Sequence, residues 1–555
     1  MAKRIAVGGE DFAALRQSDS YYVDKTELIY ELVQESNNAV TLFTRPRRFG
    51  KTLTMSMLES FFSMMRKDSR DVFDGLRIMQ HTDFCAEYMN QYPVLLLSLK
   101  DVEGLTFDSA LEKLRIVIAE LCGKMNRWMD ADNSRSDAVL FEKFLNGTST
   151  ATEIQYSLKT VMRMLKTVYD KPVILLIDEY DVPLAKAHEN GYYPQMLDVI
   201  RGMMSASLKT NEYLKFAVVT GCLRIPKESI FTGVNNFACY SVLDDDFSRY
   251  FGFTQEEVDQ LLDAFRLSDK AGVIKEWYDG YLFGDTEIYC PWDVVNYVAA
   301  LLKKPDAKPK NFWKKTSGNT AIRQFFQMSG FDVSDKFETL LNGGSITETV
   351  IDTLTYDRAY ESERSLWSVL LMTGYLTKVR TEDDPAEEAE VPLALRIPNR
   401  EIAGIFRETV VDQFVDSVNR TELHELMNAL WNGDTAAASD KLSDLLWHTI
   451  SYMDYHENYY HAFLAGLFVG RGYEVRSNRE RGLGRPDIEL RDKPHRRALI
   501  IEAKRSERQE DMERDCEEAI AQIRRNQYAD KLEGYTQVMC YGVSFYKKSA
   551  LVKRA

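Results

Sequence analysis

The sequence predicts an α/β chain in three parts: a parallel sheet in the first half, a helical middle, and a second, smaller α/β unit at the end. Three observations predict it. Short apolar runs alternate with amphipathic stretches up to about residue 250; helical periodicity takes over from about residue 254; and two strand-like runs flank a turn near residue 495. At 555 residues the chain exceeds what one hydrophobic core usually serves. The expected domains are 1–253, 254–450 and 451–555.

In the first part the expected strands are Val40 to Phe43, Val94 to Leu99, Val173 to Ile177 and Leu214 to Thr220. Amphipathic stretches near 52–65, 107–128, 153–168 and 193–208 separate them, which places helices on both faces of a parallel sheet. A further helix follows Asp24 and Lys25, with Leu28, Ile29, Leu32 and Val33 as its apolar stripe and Thr26 as its N-cap. In the middle, an aromatic stretch from Trp277 to Trp292 offers either a compact core or a surface for stacking bases, and core is the reading its density favours. The helix Leu366 to Met372, the strand Tyr375 to Val379, an acidic loop from Glu382 to Glu390 and a strand from Leu393 to Ile397 read as a winged-helix-like element. The acidic loop reads as a solvated hairpin tip.

Composition narrows the function classes. With 45% hydrophobic and 28% charged residues the chain is an ordinary globular protein, and a net charge of −15 excludes a protein that coats nucleic acid through a global basic field. Local basic runs remain, at Arg45, Arg47 and Arg48 and at Arg476, Arg479, Arg481, Arg485, Arg496 and Arg497. They suit anions or simply a solvated face. The seven cysteines stand singly, without metal or disulfide spacing, and read as reduced thiols. Without an apolar leader or a membrane-length apolar run, the expected location is the cytoplasm, with no membrane partner.

Thr44-Arg45-Pro46-Arg47-Arg48-Phe49-Gly50-Lys51-Thr52 lies between a strand and a helix, where backbone N–H groups aim at an anion. Gly50, Lys51 and Thr52 match the end of a phosphate-loop pattern, whereas Arg45 stands where its first glycine belongs. Alone, the match is equally well a basic helix start. Downstream, the apolar run Val173 to Ile177 ends in Asp178 and Glu179, which sets two carboxylates at the carboxyl edge of the same sheet. The expectation is an ATP site with Mg²⁺: Arg48, Gly50, Lys51, Thr52, Asp178 and Thr220 at the nucleotide, Thr52 and Asp178 at the metal, and Glu179 polarising water. The competing reading is a capped loop after a core strand. Arg224 and Lys227 follow closely and serve either phosphate or surface.

Near the C-terminus, Gly484-Arg485-Pro486-Asp487 and Glu502-Ala503-Lys504 flank a turn, and Asp487 and Glu502 are equidistant from its centre between Pro494 and His495. A simple hairpin would set the two carboxylates opposite one another, with Lys504 on the face of Glu502. Mg²⁺ held by Asp487 and Glu502, with Lys504 positioning water, would hydrolyse a phosphodiester. Glu457 is a candidate third carboxylate ligand, and Gln522 a further neighbour. The competing reading is a hairpin with a cross-strand ion pair.

These motifs, with Tyr22-Val23-Asp24-Lys25-Thr26, Asp178-Glu179-Tyr180-Asp181, Phe251-Gly252-Phe253-Thr254 and Trp277-Tyr278-Asp279-Gly280-Tyr281, make the chain resemble bacterial AAA-ATPase-like proteins with a C-terminal PD-(D/E)XK nuclease-superfamily domain. The resemblance covers nearly the full length. That family's phosphate loop itself reads R-P-R-R-F-G-K-[ST], so Arg45 is a family feature. The resemblance implies a P-loop NTPase sheet, a helical, winged-helix-like middle and a restriction-endonuclease-like end. It further implies ATP binding and suggests an ATP-regulated nuclease acting on nucleic acid, DNA first, with a homo-oligomer left open. The alternative is a nucleotide-dependent regulatory or nucleic-acid-binding protein whose nuclease fold is inactive.

Overall fold

Where apolar runs alternate with amphipathic helices, the chain folds as a parallel sheet covered on both sides. The computed structural model describes residues 4–34, 38–126, 135–225, 230–231, 236–313, 334–341, 343–359, 362–380, 392–406, 420–449, 460, 463–464, 467–468, 474–477, 486–532 and 534–555. Chain contacts divide into two units, Met1–Ala321 with Ser345–Ala403, and Ile322–Gly344 with Gly404–Ala555.

In the first unit β1 (Val40–Thr44), β2 (Val94–Ser98), β3 (Val173–Asp178), β4 (Leu214–Gly221) and β5 (Phe237–Tyr240) form a parallel sheet in the order β2-β3-β4-β1-β5. Alternate strand residues serve opposite faces. Val40, Leu42, Leu95, Leu97, Leu175, Ile177, Ala217 and Val219 join one apolar cluster with the helices Phe107–Asn126, Ser157–Tyr169 and Tyr193–Leu208. Facing the other way, Phe216 packs its ring 5.5 Å from that of Phe62 on the helix Lys51–Phe62. Burial on both faces is why the strands read as continuous apolar runs. Strand β5 had no such run, because all its residues are only half-buried.

The helix after Lys25 runs Glu27–Gln34 and buries Leu28, Ile29 and Leu32, as the stripe requires. Thr26 does not cap it. Its hydroxyl donates to Asp24 and accepts from the Ile78 amide at 3.2 Å, so it serves a neighbouring turn instead.

The aromatic stretch is a core. Tyr278, Tyr281, Phe283 and Tyr289 are buried, and β6 (Tyr281–Phe283) and β7 (Thr286–Ile288) make a hairpin whose Tyr281 and Phe283 rings lie 5.0 and 5.1 Å from Phe49 of the loop after β1. The helix Glu363–Met372 is followed by β9 (Thr377–Lys378) and β10 (Pro392–Arg396), which with β8 (Ile346–Thr349) form a three-stranded antiparallel sheet, the expected wing. The acidic loop lies outside the described residues.

Beneath this region two carboxyls, Asp293 and Glu401, are buried together. Glu401 Oε1 accepts from the Trp313 amide at 2.8 Å, while Glu401 Oε2 and Asp293 Oδ1 have no donor around them. A proton held between the two acids satisfies both. Burial, then the Asp293 charge, pushes the Glu401 pKa up to about 9. Burial likewise pushes Asp293 up to about 6, against hydrogen bonds from Cys290 and Glu401 and the Arg48 charge. An acid with a raised folded-state pKa retains its proton in the folded form after the unfolded form has lost it, so stability falls as pH rises from about 4.5 towards 9. Glu401→Gln should flatten this decline, read as melting temperature against pH; an unchanged slope would sink the shared-proton assignment.

In the second unit β11 (Glu474–Ser477), β12 (Ile488–Asp492), β13 (Arg497–Arg505), β14 (Gln537–Tyr546) and β15 (Ser549–Arg554) form a mixed sheet in sequence order. Only the β13/β14 pair is parallel, and the helix Met512–Asn526 makes the crossover between them. It buries Met512, Cys516, Ala519, Ile520 and Ile523, the spacing of one helical face. Gly542 admits it: a Cβ there would stand 2.6 Å from the Cys516 carbonyl. The helices Arg420–Asn432 and Thr435–Thr449 pack nearby, and Ser439 and Ser443 of the second accept from the amides of Val552 and Ala550 on β15 at 2.9 and 3.0 Å. No helix among the described residues is long and apolar enough to cross a membrane. The seven cysteines are free, five of them buried.

Candidate functional sites

In the first unit, β1 runs into the loop Arg45 to Gly50, and the helix Lys51–Phe62 opens from it. Gly50 sits in the left-handed region at φ 86°, with open space where a Cβ would be, so glycine is needed for its backbone angle alone. Arg45 is fully buried. It donates to the carbonyls of Thr44 and Tyr240, tying β1 to β5, and its guanidinium lies 5.3 and 5.5 Å from the Phe251 and Phe283 ring centres. Burial pulls its pKa down to about 10, so it is still a cation at neutral pH. The missing glycine is thus replaced by a structural arginine.

Lys51 is 3% exposed, its ammonium 3.1 Å from the carbonyls of Arg45 and Pro46 and 3.3 Å from Glu179 Oε1. Burial alone would lower its pKa, but Cys222, Glu179, Asp178 and Asp181 together outweigh burial and raise it. The order of strands explains the next contacts: β4 lies between β1 and β3, so Thr220 ends beside Asp178. Thr220 Oγ1 donates to Asp178 Oδ1 at 2.5 Å and Thr52 Oγ1 to Asp178 Oδ2 at 2.8 Å. Burial raises the Asp178 pKa and the Glu179 charge adds to it, against these two hydrogen bonds and Lys51. Glu179 holds φ at 55°, a conformation costly for a residue with a Cβ, and its Oε2 is buried without a donor.

Gly50, Lys51, Thr52, Asp178, Glu179 and Thr220 therefore converge as their spacing predicted. Arg48 does not join them. Its guanidinium stacks 4.8 Å over Trp292 and donates to the Phe312 carbonyl at 3.1 Å, because the left-handed φ of 72° turns it towards the aromatic region. Arg224 is ion-paired with Asp352. Lys227 lies outside the described residues.

Two residues carry more of this site than the sequence revealed. Tyr180 donates to the Leu223 carbonyl at 2.7 Å and accepts from the Ile225 amide, and Asp181 Oδ2 accepts from the amides of Cys222 and Leu223 and from the Tyr356 hydroxyl at 2.9 Å. Together they fix the segment that follows Thr220. Gly221 is the point of closest approach, since a Cβ would stand 2.5 Å from the Tyr180 ring and 2.7 Å from Asp181 Oδ1. Both neighbours are buried and pinned, so Gly221→Ala should destabilise this unit by about 2–3 kcal/mol, seen as a lowered melting temperature. An unshifted transition would show that the loop yields.

In the second unit the register sets Ile488 opposite Ile501 and Asp492 opposite Arg497, which carries Asp487 opposite Glu502. The Asp487 amide donates to Glu502 Oε2 at 3.3 Å, and Asp487 Oδ2 accepts from the Ala503 amide at 2.9 Å. Glu502 is 1% exposed and accepts from the Gln522 side-chain amide on the crossover helix. Lys504, two residues on, shares its strand face at partial exposure. Arg497 pairs with Asp492 at 2.8 Å, which assigns it to the turn. Among the described residues no three His, Cys, Asp or Glu side chains cluster as a metal site. Glu457, the expected third carboxylate, lies outside the described residues, as do Arg479, Arg481 and Arg485.

Comparison with known proteins matches both ends. Residues 6–231 fit the family model described as Predicted AAA-ATPase, and residues 455–555 that of the PD-(D/E)XK nuclease superfamily. The chain is also 25% identical, over 99% of its length and 98% of the relative's, to a protein of Azotobacter chroococcum mcd 1 described as an uncharacterized protein in the vnfD 5' region. With a five-stranded parallel sheet behind the first match and a mixed sheet behind the second, the chain joins an AAA-ATPase-like domain to a C-terminal PD-(D/E)XK nuclease superfamily domain.

Proposed function

We propose that this protein binds ATP with Mg²⁺ in its first domain and uses the nucleotide state to regulate a Mg²⁺-dependent nuclease in its last. The observation that carries the reading is the cross-strand placement of Asp487 and Glu502, one buried carboxylate and one part-buried, held together by backbone donors with a lysine on the same face. Two carboxylates at paired positions across a hairpin offer oxygens that suit a hard divalent cation. A divalent cation there supplies charge neutralisation and an acidified water. Gln522 fixes the orientation of Glu502, and Lys504 is placed to steady a water or an anionic oxygen.

The phosphate loop supports the nucleotide half of the proposal. Gly50 leaves open space, Lys51 is a preformed cation, Thr52 and Asp178 present oxygens for Mg²⁺, and the unsatisfied Glu179 Oε2 has a use in orienting water. The Lys51 ammonium rests on its own loop carbonyls, contacts that a polyphosphate would replace.

The test is cleavage of labelled single- and double-stranded DNA and RNA with Mg²⁺ or Mn²⁺, with and without ATP, in wild type, Asp487→Ala and Lys51→Ala. Cleavage lost in the first variant, and sensitive to ATP only with Lys51 intact, is the expected result. Bound ATP with no cleavage of any substrate by wild type would overturn it in favour of a nucleotide-dependent binding protein.

A further inference from the structure

The geometry points to a second binding element beside the Asp487–Glu502 pair: a cavity of about 140 Å³ that takes a backbone phosphate of a nucleic-acid strand. It is lined by Tyr460, Arg505, Ser506, Glu507, Tyr546 and Lys547. It opens where β13 and β14, the parallel pair of this sheet, reach their carboxyl ends, the edge at which open α/β sheets gather ligands. The Ser506 amide continues the ladder by donating to the Phe545 carbonyl at 2.8 Å, so Glu502, Lys504 and Ser506 follow one strand face. At the rise of a strand, Ser506 lies roughly 13 Å beyond Glu502, within one or two nucleotide steps.

The lining identifies the ligand. Ser506 is 3% exposed and its hydroxyl has no hydrogen-bond partner, a polar group left unsatisfied in the wall of a cavity. Arg505 and Lys547 put two cations at the same cavity against one carboxylate, Glu507, which selects for an anion. The floor is rigid: Tyr460 stacks on Phe545 with ring centres 4.2 Å apart and donates to the Lys547 carbonyl at 2.9 Å. Lys547 itself sits at φ 54°, an angle unfavourable to a residue with a Cβ, in the turn that joins β14 to β15. A phosphate oxygen accepting from Ser506 and paired with Arg505 and Lys547 uses every feature of this wall. The inference rests on reading Asp487, Glu502 and Lys504 as a site that handles nucleic acid, and it adds the contact that would hold the strand in register.

The test uses the full chain and a fluorescein-labelled single-stranded DNA oligonucleotide in EDTA, followed by anisotropy. Arg505→Gln with Lys547→Gln should weaken binding about ten-fold or more and reduce the dependence of log affinity on log salt by about 0.7, the value for one phosphate contact to a single strand. Ser506→Ala should weaken binding several-fold while its melting temperature holds or rises, since a buried hydroxyl without a partner contributes nothing to folding. A merely structural serine would give the opposite pair of results.

Inorganic phosphate and an oligonucleotide carrying one methylphosphonate linkage separate the sources of the anion. Weaker binding of the methylphosphonate strand by wild type, but not by the double variant, supports the strand. Binding of inorganic phosphate without binding of the oligonucleotide overturns the proposal in favour of a free-anion site, as do pocket variants that bind like wild type. If Asp487→Asn abolishes cleavage while the pocket variants bind and cut normally, the pocket falls and the nuclease stands. If wild type cuts nothing but the pocket variants lose binding, the nuclease falls and the pocket stands.

Discussion

Asp487→Asn should reduce metal-dependent cleavage by on the order of a thousand-fold while leaving the domain folded. The change keeps the shape of the side chain. Asp487 Oδ2 accepts from the Ala503 amide, and an asparagine carbonyl can accept that bond in its place. What disappears is one of two negative charges meeting across β12 and β13, and with it much of the field that attracts a divalent cation. A readout independent of turnover checks the cause. Added Mg²⁺ should raise the melting temperature of wild type, because a ligand that binds only the folded state stabilises it by mass action, and should leave Asp487→Asn nearly unmoved. Without metal the variant should melt close to the wild-type temperature, since the shape of the side chain and its bond from the Ala503 amide are kept. Equal Mg²⁺ shifts in the two proteins would place the cation elsewhere.

Lys51→Met should abolish measurable ATP binding, a loss of about a hundred-fold or more, and should destabilise the first unit as well. The two effects have different origins. Binding falls because the loop loses its buried cation. Stability falls because Asp178, Glu179 and Asp181 then crowd one end of the sheet without the charge that offsets them, and stranding buried charges costs about 3–5 kcal/mol. Lys51→Met combined with Glu179→Gln should therefore recover part of the stability and none of the binding, measured by thermal melts and a fluorescent ATP analogue. Recovered binding in the double variant would show that Lys51 acts only by neutralising Glu179.

The sheet of the first unit was legible because strands buried on both faces leave continuous apolar runs, as in Val173 to Ile177. Strand β5 was not, because at a sheet edge half-burial leaves no such run. The cross-strand partners Asp487 and Glu502 could be read from the sequence because they are symmetric about a tight turn, which fixes register locally. Contacts made by long-range folding left no trace. Lys25 read as the start of a helix, yet its ammonium lies 2.6 Å from Glu257, 232 positions away, and nothing near either residue announces the other. Asp181 stood in the landmark Asp178-Glu179-Tyr180-Asp181 without a role, and it holds the segment behind Thr220. Arg48 was misplaced for a related reason: a basic residue in a phosphate loop invites an anionic partner, and only the fold reveals the Trp292 ring that takes it.

The hydroxyls of Ser439 and Ser443 occupy the outward amides of Val552 and Ala550 on β15, the last strand of the C-terminal sheet. A foreign strand could add along Ala550 and Val552 only by stripping both hydroxyls from the amides they serve, so this stretch of the border resists templated growth. The closing groups come from a helix packed against β15 rather than from charged residues along the strand, so protection against fibre-like self-association depends on that helix staying docked. Partial unfolding of Thr435–Thr449 would turn a finished border into an adhesive one.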